Sequence, residues 1–199
     1  MKRDDMRRVL LDAAEGVLVA DGARGATVRA ITSEAGVNVA SVTTAFGGRS
    51  ALLADLFVRI MTPINAERER RYAGLPAPRN VDGVIRAFVE PLEILALDSN
   101  SAMQPLMHAM VLDADGVGHP LERVLIDPGV TRLVDELESC LPELDSGEVR
   151  ARVRLAVATI LAVVTSRSES SVWHRAPLDA LVRFVGAGLR SGVTTGSQS

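Results

Sequence analysis

The sequence predicts an all-α fold, with a small head of three short helical segments joined by a long helix to a larger helical domain. Two observations predict it. Apolar residues recur at helical spacing along nearly the whole chain, and no stretch sustains a period of two with β-branched enrichment. The breaks between the periodic segments also carry helix caps and helix breakers.

Leu10, Ala13, Ala14, Val17 and Leu18 follow the i, i+3, i+4, i+7, i+8 pattern of a helix packed on one face. Ala20-Asp21-Gly22 ends that helix. Thr27 is a suitable N-cap for a short second helix ending near Ala35-Gly36. Asn38 can cap a third, which ends near Phe46-Gly47-Gly48. Leu52, Leu53, Leu56, Phe57, Ile60, Met61 and Ile64 then mark a long helix from about Arg49 to Tyr72, before Pro76, Pro78 and Asn80 break the chain. Val81, Val84, Ile85, Phe88, Val89 and Leu92 form the next stripe. Asp127-Pro128 is an N-cap followed by proline at the first helical position, ahead of Val130, Leu133, Val134, Leu137 and Leu141. Asp145 with Glu148 resembles a capping box, and Pro177 opens the last helix. The expected domains are residues 1–48, residues 49–190, and a frayed polar tail at 191–199.

The chain has 199 residues, 47% of them hydrophobic, which excludes wholesale disorder. No apolar run approaches the roughly 20 residues that span a bilayer. The first residues carry charges where a signal peptide has its apolar stretch, and Cys140 has no second cysteine to pair with. Both features lead us to expect a cytoplasmic protein. The net charge of -3 is unevenly distributed. Residues 1–60 carry eight basic against seven acidic side chains, a balance of +1, and residues 61–199 carry 14 against 18, a balance of −4. Every basic residue except Lys2 is arginine, which grips phosphate in a bidentate fork.

Residues 27–53 read TVRAITSEAGVNVASVTTAFGGRSALL. Two short helices around a glycine-containing turn, with Val28, Ile31, Ala35, Val37 and Val42 facing inward, match a helix-turn-helix or an ordinary αα-corner. The same residues carry a resemblance. T-x-R-x-I-x-x-x-A-G-V, followed by Phe-Gly and a basic residue, resembles the N-terminal signature of the TetR family of transcriptional regulators. Thr27, Arg29, Ile31, Ala35, Gly36, Val37, Phe46, Gly47, Arg49 and Leu52 fall on that pattern. The preceding helix fits it too, with Arg7-Arg8 at its start and Ala13-Ala14 at its centre.

The resemblance implies a homodimer with one helix-turn-helix per subunit, an operator of two half-sites in double-stranded DNA, and a small-molecule effector held by the C-terminal domain. Thr27 would cap the second helix and touch a phosphate, and Arg29 would contact phosphate or base. Asn38 would cap the recognition helix. Val39, Ser41, Thr43 and Thr44 would line it, and Arg49 would meet phosphate at the start of the long helix. One departure stands out: the family commonly places an aromatic residue and then histidine before the phenylalanine, where this chain has Thr44 and Ala45. Only Ser and Thr remain as polar groups after Asn38, and neither makes the bidentate contacts that read guanine or adenine. Specificity would lean on threonine methyls and hydroxyls, Arg29 and DNA shape. DNA binding weaker or more salt-sensitive than is usual in the family is expected.

Phe57, Met61, Phe88, Leu92, Met103, Met107 and Met110 lie on apolar faces of the middle helices. They suit either a pocket for an apolar or amphipathic ligand or plain core packing, and His108 could add one polar contact. Val153, Val157, Ile160, Leu161 and Val164 belong to a segment apolar on more than one side, which needs more than one cover. Leu178, Leu181, Val182 and Val185 form a second stripe. These residues either close the core of one chain or, as the resemblance favours, form the dimer interface. His108, Asp113, Asp115 and His119 match no metal-site spacing, so neither a metal nor a cofactor is expected. Cys140 reads as packed core, and Trp173 and His174 as a rim or a cover of the core edge. Glu67-Arg68-Glu69-Arg70-Arg71 reads as a solvated face with local pairing.

The expectation is a ligand-controlled transcriptional repressor, not an enzyme, since no nucleophile–base pair appears. The alternative is a TetR-like small-molecule or protein-binding module with weakened DNA recognition.

Overall fold

The computed structural model describes residues 3–97, 101–112, 120–165 and 177–192. Among these the regular elements are all helical: α1 (Arg3–Gly25), α2 (Val28–Glu34), α3 (Ala40–Phe46), α4 (Arg49–Ala73), α5 (Val81–Leu97), α6 (Met103–Leu112), α7 (Pro120–Leu125), α8 (Pro128–Cys140), α9 (Ser146–Thr165) and α10 (Leu178–Arg190). No described helix is long and apolar enough to cross a membrane. The chain divides into two compact units, residues 1–63 with 95–124, and residues 64–94 with 125–199.

In the first unit α1 packs against α2, α3 and α6. Leu10, Ala14 and Leu18 of α1, Ile31 of α2, Val42 of α3, and Leu52, Leu53 and Leu56 of α4 are all buried. The expected punctuation holds. Gly22 breaks the regular geometry of α1, and Gly36 and Gly47 take the left-handed conformation (φ 63° and 87°) that closes α2 and α3 at little cost to a residue without Cβ.

In the second unit α8 and α10 both pack on α9. Asp127 caps α8 as expected, accepting from the Gly129 N–H at 2.9 Å, with Pro128 in the first turn. Asp145 caps α9 through the N–H groups of Gly147 (2.8 Å) and Glu148 (3.0 Å). Glu148 does not complete the reciprocal capping box but turns its carboxylate to Arg152 at 2.7 Å.

The charge run at the end of α4 corrects the sequence reading. Glu67, Arg70 and Arg71 pair locally as expected, but Arg68 is only 1% exposed and Tyr72 is fully buried. The guanidinium of Arg68 lies over the Phe88 ring, 3.7 Å from its centroid. Its Nε donates to the Phe88 carbonyl at 3.0 Å, one terminal nitrogen donates to Asn65 Oδ1 at 2.8 Å, and Asp127 sits 3.8 Å away. Asn65 in turn donates to the Asp127 carboxylate at 3.0 Å. Burial pushes the Arg68 pKa down to about 10, so it stays a cation at neutral pH. The same burial, acting on a hydroxyl with no hydrogen-bond partner among the described residues, pushes Tyr72 up. A side chain added at Gly129 would run into Asn65, Arg68 and Asp127, so the start of α8 is seated directly on this cluster. Buried Glu136 is paired on the same helix, with Arg132 at 2.6 Å and with Arg79.

Replacing one member of a buried, hydrogen-bonded ion pair leaves the other charge uncompensated and costs about 3–5 kcal/mol. Arg68→Met should lower stability by that amount in urea unfolding. Arg68→Met combined with Asp127→Asn should cost less than the two single losses added.

Candidate nucleic-acid interface

The two short helices of the first unit are set by local chemistry. Thr27 is the N-cap of α2, its hydroxyl accepting from the Ala30 N–H at 3.2 Å. Thr32 is buried with its hydroxyl donating to the Val28 carbonyl at 2.8 Å, so it needs no outside partner. Asn38 acts one residue earlier than a strict cap: Val39 already has helical angles, and the Asn38 side-chain Oδ1 accepts from Ala40 N–H at 2.9 Å.

α3 has two distinct faces. Val42 and Ala45 are buried, whereas Val39, Ala40, Thr43 and Thr44 are exposed, with Val39 at 49%. Ser41 is half-buried. The Thr44 hydroxyl donates back to the Ala40 carbonyl at 3.0 Å. Ala45 is only 3% exposed, so of the two positions that depart from the family pattern, only Thr44 presents a side chain outward. The alanine therefore fits the interior of the head, and its Cβ faces away from the outer surface where the resemblance places DNA.

The arginines of this region do different work. Arg29 and Arg24 are exposed and form no ion pair among the described residues. Arg49, expected at phosphate, also holds the head together, since its Nε donates to the Ala26 carbonyl at 2.8 Å. Arg59 is tied to Asp12 at 2.6 Å and to Glu15, which joins α4 to α1. Arg7, which the sequence pointed to only as part of a basic helix start, is a clamp. Its guanidinium lies 4.3 Å from the Phe46 ring centroid, donates to the Ala45 carbonyl at 2.6 Å and pairs with Asp55. One side chain thus binds the end of α3 to α1 and to α4. Its signal in the sequence was the coincidence of an arginine early in α1 with an acidic residue one turn and a half into α4.

The residues proposed for a pocket do not all fall in one unit. Phe57, Met61, Met103, Met107, His108 and Met110 belong to the first unit, and Phe88 and Leu92 to the second. Phe57, Met61, Met103, Met107 and Met110 are buried, but His108 is exposed, and Phe88 is the ring under Arg68. A polar contact from His108 would therefore come from an exposed imidazole and not from within the core.

The residues read as either closing the core of one chain or forming a dimer interface are mostly buried within the single chain. Val153, Val157, Ile160, Leu181, Val182 and Val185 are buried within the single chain, where α9 packs on α10, while Leu161 and Leu178 are half-buried. The apolar side chains these helices leave outward are Leu155, 70% exposed, and Phe184, 69% exposed. Sequence reasoning missed both because they lie off the two stripes. Cys140 ends α8 partly exposed, its thiol pushed up by burial and then by Glu136. Val164's side chain, Asp113, Asp115, His119, Trp173 and His174 lie outside the described residues.

Arg7→Met should speed amide exchange across α3 by about tenfold in hydrogen–deuterium exchange, as expected for losing a charge-assisted hydrogen bond, and leave α9 unchanged. Unchanged exchange in α3 would remove the clamp from the account.

Residues 10–56 match the family model for bacterial regulatory proteins of the tetR family. No curated protein is significantly similar in sequence. Solved structures are similar in fold over nearly their whole length. A protein from Mesorhizobium loti MAFF303099 assigned to the TetR family of transcriptional regulators aligns with a TM-score of 0.55 at 16% identity, over 96% of each chain. The multidrug binding protein EbrR, solved with imidazole, aligns with a TM-score of 0.54 at 19% identity, over 94% of this chain and 95% of that one. A protein of Pseudomonas aeruginosa PAO1 described as a transcriptional regulator aligns with a TM-score of 0.53 at 18% identity, over 95% and 90%. The N-terminal segment, with the helix-turn-helix at its centre, is thus similar to the tetR family of bacterial regulatory proteins, and the fold of the chain is similar to that of these solved structures.

Proposed function

We propose that the protein is a dimeric, ligand-controlled transcriptional repressor whose residues 1–48 read an operator and whose residues 49–190 carry the effector and dimer functions. The observation that carries this reading is α3. Within the segment matched to the tetR family it buries Val42 and Ala45 and leaves Val39, Ala40, Thr43 and Thr44 on one exposed face. Such a helix enters the major groove while the one before it crosses the backbone. Arg29 and Thr27 are exposed as well, as phosphate contacts require.

The small-molecule part draws on EbrR, a multidrug binding protein solved with imidazole, and on the buried methionines Met103, Met107 and Met110 with Phe57 and Met61. Methionine adapts to varied apolar shapes. An effector acts by preferring one of two states, and a change in the spacing of two reading heads, about 34–36 Å apart for adjacent turns, suffices to prevent joint docking. The dimer part draws on Leu155 and Phe184. Two large apolar side chains left outward on α9 and α10 give a second subunit something to cover, and they replace the buried stripes as the proposed contact.

Selection of duplexes from a random DNA pool should yield a palindromic consensus, and Arg29→Ala should lower the slope of log affinity against log salt by about one. Enrichment of no sequence would overturn the DNA-reading proposal. Leu155→Asp with Phe184→Asp should convert a dimer to a monomer in analytical ultracentrifugation, and an unchanged dimer would move the interface elsewhere.

A further inference from the structure

The outward face of α3 is chemically unusual for a reading surface because it is made of methyl groups. Val39 and Ala40 offer nothing else. Thr44 has committed its hydroxyl to the Ala40 carbonyl at 3.0 Å, which leaves its methyl as the group presented outward. Thr43 adds a fourth exposed side chain with a methyl, on the same face one turn after Val39 and Ala40. Two acceptors nearby are already engaged: Asn38 Oδ1 accepts from Ala40 N–H at 2.9 Å, and the Thr27 hydroxyl oxygen from Ala30 N–H at 3.2 Å. In the major groove the thymine C5-methyl is the apolar feature of the base edges, and apolar side chains and threonine methyls are the groups that contact it.

We propose that the recognition helix reads its half-site through thymine methyls, with Val39, Ala40 and Thr44 forming the contact and a thymine-rich core as the preferred sequence. This rests on the DNA-reading function proposed above and names the base chemistry it uses. Thr44 is then a specificity residue through its methyl and not through its hydroxyl. The outward face of α3 itself carries no side chain that makes the bidentate contact with guanine or adenine, so its discrimination is the sum of several small apolar contacts.

The test replaces thymine by uracil, which removes only the C5-methyl, one position at a time in the duplex selected by the protein. Each contacted thymine should cost about three- to fivefold in affinity when replaced, the effect of removing one buried methyl-sized group. Thr44→Ser, which keeps the hydroxyl and deletes the methyl, should lose a similar factor and become insensitive to uracil at one position, since both changes remove the same contact. Thr44→Val, which keeps the methyl and deletes the hydroxyl, should bind as the wild type does. Sequence-specific binding that tolerates uracil at every position would overturn the proposal while leaving the regulator function standing. Loss of affinity in Thr44→Val with none in Thr44→Ser would also overturn it, in favour of hydroxyl readout. Absence of binding to any duplex would take down both.

Discussion

A seven-residue helix does not hold itself together in water. Isolated helices shorter than about 12–15 residues are marginal, and α2 and α3 have seven residues each. Everything proposed for the head depends on how neighbouring elements fix these two helices. Ile31 and Val42 supply the apolar anchor, and Arg7 and Arg49 supply polar ties to backbone carbonyls at Ala45 and Ala26. Arg49, which reads as a DNA ligand in the sequence, and Arg7 are therefore part of the scaffold. Arg7 and Arg59 are likewise committed to internal ion pairs, with Asp55 and with Asp12 and Glu15.

That redistribution of charge gives the reading surface its character. The outward face of α3 carries no long polar side chain, so the discrimination proposed for it rests on shape and methyl contact. The replacement of an aromatic residue and histidine by Thr44 and Ala45 changes meaning accordingly. Ala45 belongs to the packed interior, and its small size lets the end of α3 lie against the Arg7 clamp, while Thr44 stays exposed with its hydroxyl bonded to the Ala40 carbonyl.

How much was legible in the sequence follows from the range of each interaction. Caps and turns are local, so Thr27, Gly36, Gly47 and Asp127 could be placed from neighbouring residues alone. The stripes of α4, α5 and α8 were equally legible because periodicity marks the buried face. Arg68 was misread because nothing local separates a solvated arginine from one that meets Phe88, 20 residues on, and Asp127, 59 residues on. The interface on α9 and α10 was left open between two readings for another reason. A helix apolar on several sides shows that it has more than one cover, but not which side faces its own chain. Only the packing of α9 on α10 revealed that Val153, Val157, Leu181 and Val185 turn inward and Leu155 and Phe184 outward.

The central claim is that the exposed face of α3 is where this protein meets DNA. Hydrogen–deuterium exchange of the full chain, with and without a duplex selected by the protein, tests it most directly. The account predicts that DNA slows exchange over residues 27–49, most of all along α3. Slowed exchange confined to α8 to α10, or none anywhere with a duplex that binds, would contradict it.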